Sequence, residues 1–161
     1  VRTYRGNLHR GKIRGYCQGM IIPKAKEKPI IMKTIEEVRE IFKNDRFATE
    51  NGAYIEEIGE KYAKCSLTLT DRHKNAMGAV MGAVYFTVAD FAFAAATNNQ
   101  AMTTVSLTSE ISFFGQPKGD KLIAEAACVR DGRTTCYYRV DVKDEGGKIC
   151  AAVSITGYHV A

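Results

Sequence analysis
The sequence predicts an α+β domain, an antiparallel sheet laid against one buried helix. Three observations lead there. The segment Gly82–Thr97 (GAVYFTVADFAFAAAT) is apolar all round and rich enough in alanine to favour helix over strand. A helix without a polar face must be surrounded by protein. Everything after it reads as strands, in four runs of alternating apolar residues. Finally, the 161 residues are 45% hydrophobic and 25% charged with three prolines, an ordinary globular composition. Such a chain buries about two thirds of its extended surface, and bulk disorder, collagen-like repeats and solenoids are excluded.

The elements follow in order. Residues 1–30 hold eight Lys/Arg against one acid, Glu27, so the basic balance belongs to a tail and the domain is expected to span 31–161. No apolar run follows that basic start, so no secretory signal is expected. Thr34 opens a short helix, with Glu37 at capping-box spacing and Ile35, Val38, Ile41 and Phe42 as its apolar stripe. Asn51-Gly52 breaks the chain before a strand over Ala53–Ile58. Ala63, Cys65, Leu67 and Leu69 alternate with polar residues at the period of a half-buried strand. After the long helix, Val105, Leu107, Ile111 and Phe113 alternate, then Leu122, Ala124, Ala126 and Cys128. Asp131-Gly132 turns the chain into Cys136, Tyr138, Val140 and Val142, and Gly146-Gly147 turns it into Ile149, Ala151, Val153 and Ile155. The helical run is too short to span a bilayer and carries Asp90 at its centre, so no membrane association is expected.

Asp90 is the most informative residue. A bare carboxylate among Val88, Ala89, Phe91, Ala92 and Phe93 costs several kcal/mol unless it is paired or functional. The loop ahead of the helix, with Asn75, Gly78 and Gly82, offers free backbone N–H groups at the positive end of a helix dipole, which suit an anion or a developing oxyanion. Gly82 and Asp90 lie about 12 Å apart along one helix, too far to flank one reacting carbon. Two antiparallel copies of the helix would bring Gly82 of one chain near Asp90 of the other. The five cysteines form no CxxC pair and no zinc-like spacing, which fits a reducing cytoplasm and predicts no metal site. Cys65, Cys128 and Cys136 read as small buried hydrophobes, and no histidine spacing suggests a thiol–imidazole pair.

Asn75-x-x-Gly78-x-x-Met81-Gly82-Ala83, followed by Ala89-Asp90-x-Ala92-x-x-x-Ala96, resembles the hot-dog acyl-CoA thioesterases of the phenylacetate-pathway (PaaI-like) type. The resemblance continues through Ile111-Ser-Phe113, Pro117, Gly119-Asp120 and Gly132-Arg133, and covers roughly residues 33–160. It implies a sheet wrapped around one central helix and hydrolysis of an acyl-CoA to a carboxylic acid and free coenzyme A. Asp90 would be general base or nucleophile, the Gly82 N–H would polarise the thioester carbonyl, Asn75 would orient the thioester or the water, and Ser106 would be a polar partner for that water. Tyr85 and Phe86 are candidate acyl contacts, Arg130 and Arg133 candidate phosphate contacts, and Met81 and Thr104 join the substrate-binding set. The expected partners are the acyl-CoA substrate and a second copy of the chain, with dimers often pairing again; no cofactor beyond the substrate's coenzyme A is expected. One position departs from the family: its common His-Gly-Gly at the helix entry is here Met81-Gly82-Ala83, so slower or differently specific catalysis is expected. A non-catalytic acyl-CoA sensor, with a basic tail touching nucleic acid, would need no Asp90, and the tail has no readable helix-turn-helix. A hot-dog dehydratase would want a histidine beside the carboxylate, and none lies near Asp90 in the motif.

Overall fold
The structure, a computed structural model, describes residues 33–101 and 103–160. The basic extension over 1–30, with Cys17 and His9, lies outside the described residues. Six strands form one antiparallel sheet in the order β1-β2-β4-β5-β6-β3. In chain order they are β1 (Ala53–Gly59), β2 (Tyr62–Thr68), β3 (Thr104–Phe113), β4 (Lys121–Asp131), β5 (Thr135–Asp144) and β6 (Ile149–His159). Three helices accompany them: α1 (Ile35–Phe42), α2 (Arg46–Glu50) and α3 (Gly82–Asn98).

The helix α1 starts where its capping box predicts. The Glu37 N–H donates to Thr34 Oγ1 at 3.3 Å, and the Thr34 N–H donates to Glu37 Oε2 at 2.7 Å. Val38 and Phe42, one turn apart, turn inward, and Phe42 meets Phe91 of α3 edge to face at 5.7 Å. The helix α2 has no sequence signature: five residues show no period, and the Asn51-Gly52 break is its C-terminal end, with Gly52 at φ +91°.

The core lies between α3 and one face of the sheet. Val88, Ala89, Ala92 and Ala95 are fully enclosed, as are Ala124 and Ala126 of β4 and Val140 and Val142 of β5. Small side chains on both surfaces let helix and sheet approach closely, and α3 touches all six strands. Phe93 stacks edge to face on Tyr138 at 5.4 Å, so truncating it to alanine would cost about 3–5 kcal/mol. At the far end of α3, Asn98 joins helix to strand: its Oδ1 accepts from the N–H groups of Thr103 and Thr104, and its Nδ2 donates to the Thr104 carbonyl. Cys65 and Cys136 are buried as expected, and Cys128 is half-buried. Among the described residues no helix is long and apolar enough to cross a membrane.

The described residues leave α3 open along one stripe: Ala83 and Phe86 are exposed, and Thr87, Asp90, Ala94 and Thr97 are only half-buried. One expectation gives way: of the four alternating apolar residues of β3, only Ile111 packs against the core. Val105, Leu107 and Phe113 are 50%, 57% and 54% exposed. The reason is position: β3 is the last strand of the sheet and pairs only with β6.

Candidate active site
The loop that leads into α3 is built by its own polar groups. His73 is buried; its Nδ1 accepts from the Thr70 N–H at 2.9 Å, and its Nε2 lies 3.1 Å from the Asn51 carbonyl. A carbonyl can only accept, so the proton is on Nε2 and the ring is neutral. The His73 carbonyl then accepts from the Met81 N–H at 2.9 Å, which sets the helix entry. Asn75 Oδ1 accepts from the N–H groups of Met77 and Ala79 at 2.9 and 3.1 Å, leaving the amide Nδ2 without a partner among the described residues. Gly78, at φ +76°, takes the left-handed turn that a side chain would strain.

Gly82 is the first residue of α3, and Met81 before it makes no side-chain cap. The N–H groups of Gly82 and Ala83 therefore find no acceptor among the described residues, as expected at an uncapped helix start. Gly82 also packs under Phe113: a Cβ there would sit 3.0 Å from the Phe113 Cζ. Together with Val80, Tyr85, Gly115 and Gln116 they line a cleft of about 240 Å³. A second cavity of about 530 Å³ shares Val80 and Gln116 and extends along the loop past Met77, Gly78 and Lys74. Tyr85 itself is buried, with its hydroxyl 3.4 Å from the Gly115 carbonyl, and burial pushes its pKa up to about 12, so it stays a neutral donor.

Asp90 is two turns further along the exposed stripe of α3. Its carboxylate makes no hydrogen bond and no ion pair among the described residues. Burial raises its pKa above the ordinary aspartate value, and the nearby charge of Asp45 adds to the rise. The carboxylate is thus desolvated, unpaired among the described residues and open on one side.

The other residues singled out from sequence are spread along the molecule. Phe86 is exposed on the stripe between Gly82 and Asp90, and Met81 is 48% exposed at the helix entry. Ser106 is exposed on edge strand β3, opposite Gly157 of β6. Thr104 is buried, and its hydroxyl is 2.9 Å from His159 Nδ1. Arg130 and Arg133 are exposed at the β4–β5 hairpin; the same hairpin's Asp131 binds His159, whose neighbour across the sheet is Thr104. They therefore lie at the end of α3 opposite Asn75 and Gly82. One protomer thus joins Gly82 and Tyr85 in one cleft, holds Asp90 apart, and puts Thr104, Arg130 and Arg133 at the other end. Sequence reading missed Gln116, whose side-chain Oε1 accepts from the Val80 N–H at 2.8 Å and joins the two cavities; a lone glutamine in a loop carries no periodic signal.

The model of the thioesterase superfamily matches residues 77–151. A protein of Archaeoglobus fulgidus, provisionally named an esterase, is 33% identical over 128 residues, covering 78% of this chain and 83% of that protein. The acyl-coenzyme A thioesterase PaaI of Escherichia coli K12 is 28% identical over 120 residues, 74% of this chain and 86% of its own. Among solved structures, that of the Escherichia coli PaaI protein from the phenylacetic acid degradation operon aligns with a TM-score of 0.73 at 26% identity, covering 78% of this chain and 92% of that one. A mutant phenylacetic acid degradation protein PaaI from Thermus thermophilus aligns with a TM-score of 0.68 at 26% identity, over 72% of this chain and 100% of that one.

Proposed function
The chain belongs to the thioesterase superfamily, as a hot-dog thioester hydrolase of the PaaI-like type, and from that premise we propose that it hydrolyses an acyl- or aryl-CoA thioester in a site shared by two protomers. The observation that carries the reading is Asp90: a desolvated carboxylate with no partner of its own among the described residues, on a stripe of α3 that those residues leave partly open.

The stripe and the edge strand call for the same partner. An exposed ten-residue edge strand with apolar side chains invites another strand, and a second β3 supplies one. Two copies of α3 packed antiparallel about a twofold axis bring Gly82 beside the partner's Asp90 only when the axis passes midway between those positions. The midpoint is Phe86, an aromatic ring exposed on the stripe. It would meet its own copy there, where an isologous contact is self-complementary.

In the assembled site the thioester carbonyl sits at the free N–H of Gly82. Asp90 accepts a proton from a water as its oxygen bonds to the carbonyl carbon. Negative charge collects on the carbonyl oxygen and is held by the Gly82 N–H and the helix dipole. Collapse breaks the C–S bond, and the proton that Asp90 took from water passes to the departing sulfur, so that coenzyme A leaves as its thiol, the carboxylic acid is the other product and Asp90 is ionised again. Asn75 Nδ2 is the free donor that orients the carbonyl or the water. The cavity past Lys74 offers room for the pantetheine arm, with Lys74 as a cation along its route. The family's helix-entry imidazole has no counterpart in Met81, whose N–H is held by His73 while its thioether is free.

The test is release of free coenzyme A from short, medium, long and aryl acyl-CoAs, read by chromatography with Asp90→Asn alongside. Turnover by the parent and not by the variant supports the reading. Tight binding without turnover by the parent would replace it with an acyl-CoA sensor.

A further inference from the structure
Away from that site, three donors of different chemistry converge at the opposite end of the sheet. Asp131 ends β4, Cys136 is the second residue of β5 and lies directly across from it, and His159 ends β6. One ligand atom from each lies within 4.8 Å of the other two. Asp131 Oδ1 and His159 Nε2 are already 2.9 Å apart. We infer that Asp131, Cys136 and His159 form a binding site for a borderline divalent transition-metal ion of the zinc class, with water as a fourth ligand.

The donor set is a thiolate, an imidazole and a carboxylate, the set that suits zinc. Bonds of about 2.0–2.3 Å to a tetrahedral ion put ligand atoms about 3.3–3.8 Å apart, so closure draws the thiol in and opens the Asp131–His159 pair slightly from its 2.9 Å. Gly157 is what lets the thiol stand beside the other two donors. It is the residue across from Cys136 on β6, and a Cβ there would lie 2.6 Å from the Cys136 Sγ, 2.8 Å from Phe93 and 2.9 Å from Thr104.

Supporting groups surround the donors in the manner metal ligands require. Thr104 Oγ1 is 2.9 Å from His159 Nδ1. When the ion takes the place of the proton on Nε2, the neutral ring carries its proton on Nδ1, and Nδ1–H donates to that hydroxyl, which orients the ring. Lys61 Nζ holds Asp131 by its other oxygen, Oδ2, at 3.0 Å, leaving Oδ1 for the ion. Thiolate and carboxylate together balance the two charges of the ion, and the thiol proton leaves to solvent. An open cavity of about 470 Å³, lined by Lys61, Cys128 and Arg130, reaches the cluster at Asp131. Sequence reading expected no metal site and no thiol–imidazole pair. The donors come from three strands at positions 131, 136 and 159, a spacing that no metal motif shares.

The experiment uses the full chain, reduced and stripped with chelator, titrated with Co²⁺ alone. The expected result is one equivalent bound with a thiolate-to-cobalt charge-transfer band, displaced by Zn²⁺. Cys136→Ser abolishes the band and Cys128→Ser keeps it. His159→Gln, which leaves every thiol in place, lowers the Co²⁺ affinity at least tenfold, and Zn²⁺ raises the melting temperature of the parent but not of this variant. Absence of a band in the parent, or a band unchanged in Cys136→Ser or in His159→Gln, overturns the site.

Discussion

Asp90 and Asp131 are the same side chain in opposite circumstances. Asp90 sits half-buried on a helix with no cation and no donor beside it among the described residues, so burial and the Asp45 charge lift its pKa. Asp131 is more open, yet Lys61 and His159 both bind it, and the Lys61 hydrogen bond foremost holds its pKa below the ordinary value. Only the first is left without a partner among the described residues. A carboxylate that the fold has paired is committed to structure or to a ligand that can take over its partners. One that the fold has desolvated without a partner is available for proton transfer.

The two aspartates also pull stability in opposite directions with pH. The raised pKa of Asp90 means the folded state holds its proton more tightly. Its contribution is therefore greatest at low pH and declines as pH rises from the ordinary aspartate value through the raised one. The depressed pKa of Asp131 gives a contribution that is present above the ordinary value and lost as pH falls through the depressed one.

The largest expected effect comes from Asp90→Asn. Hydrolysis falls by ~10²–10⁴, while the melting temperature at neutral pH holds or rises, because a desolvated charge is gone. In the parent, the acid limb of kcat against pH lies above the ordinary aspartate value, since the base must be ionised to work. Turnover by the variant at the parent's rate would make the two aspartates equivalent and remove Asp90 from the chemistry.

Next comes Gly82→Pro. Proline is tolerated at the first position of a helix and deletes its N–H, and Met81 already has the extended ψ of 140° that a following proline requires. Loss of the oxyanion donor lowers kcat by ~10²–10³. Gly82→Ala keeps the N–H and only presses on the half-exposed Phe113 ring, so it loses far less. Equal losses in the two variants would mean that shape, and not the donor, matters there.

Phe86→Asp puts two like charges at the helix midpoint of the assembled pair. Sedimentation would show dissociation, and hydrolysis would become dependent on protein concentration. A monomeric parent with full turnover would break the shared-site reading. Met81→His is a milder change, expected to preserve or raise activity in the same coenzyme A assay; a large loss would mean that the entry loop is organised differently. The smallest effect is Lys61→Met. It releases Asp131 towards its ordinary pKa, so the acid limb of thermal stability flattens while hydrolysis is untouched.

The order and type of the main elements are legible in the sequence. The Thr34–Glu37 capping box, the alternation of β4 to β6 and the all-round apolar run of α3 are local signals, and local sterics and patterning are enough to read them. The apolar residues of β3 show where that reading stops. Val105 and Leu107 alternate as a buried strand's residues would, yet alternation cannot tell a central strand from an edge one, because edge position is a property of the sheet's order. Thr104 likewise shares a strand with Ser106 in sequence, but its hydroxyl faces His159, 55 residues away.

From the sequence alone came the helix, the strands and the one carboxylate that an apolar helix carries only if it is paired or functional. Those follow from periodicity and from the cost of burying charge, which are written into neighbouring residues. The tertiary structure alone decided that Asp90 has no partner among the described residues, that Gly82 lines a cleft, and that Asp131, Cys136 and His159 meet. Such facts depend on which strands pair and in what register, and a sheet order that puts β6 between β5 and β3 is set by the packing of the whole domain.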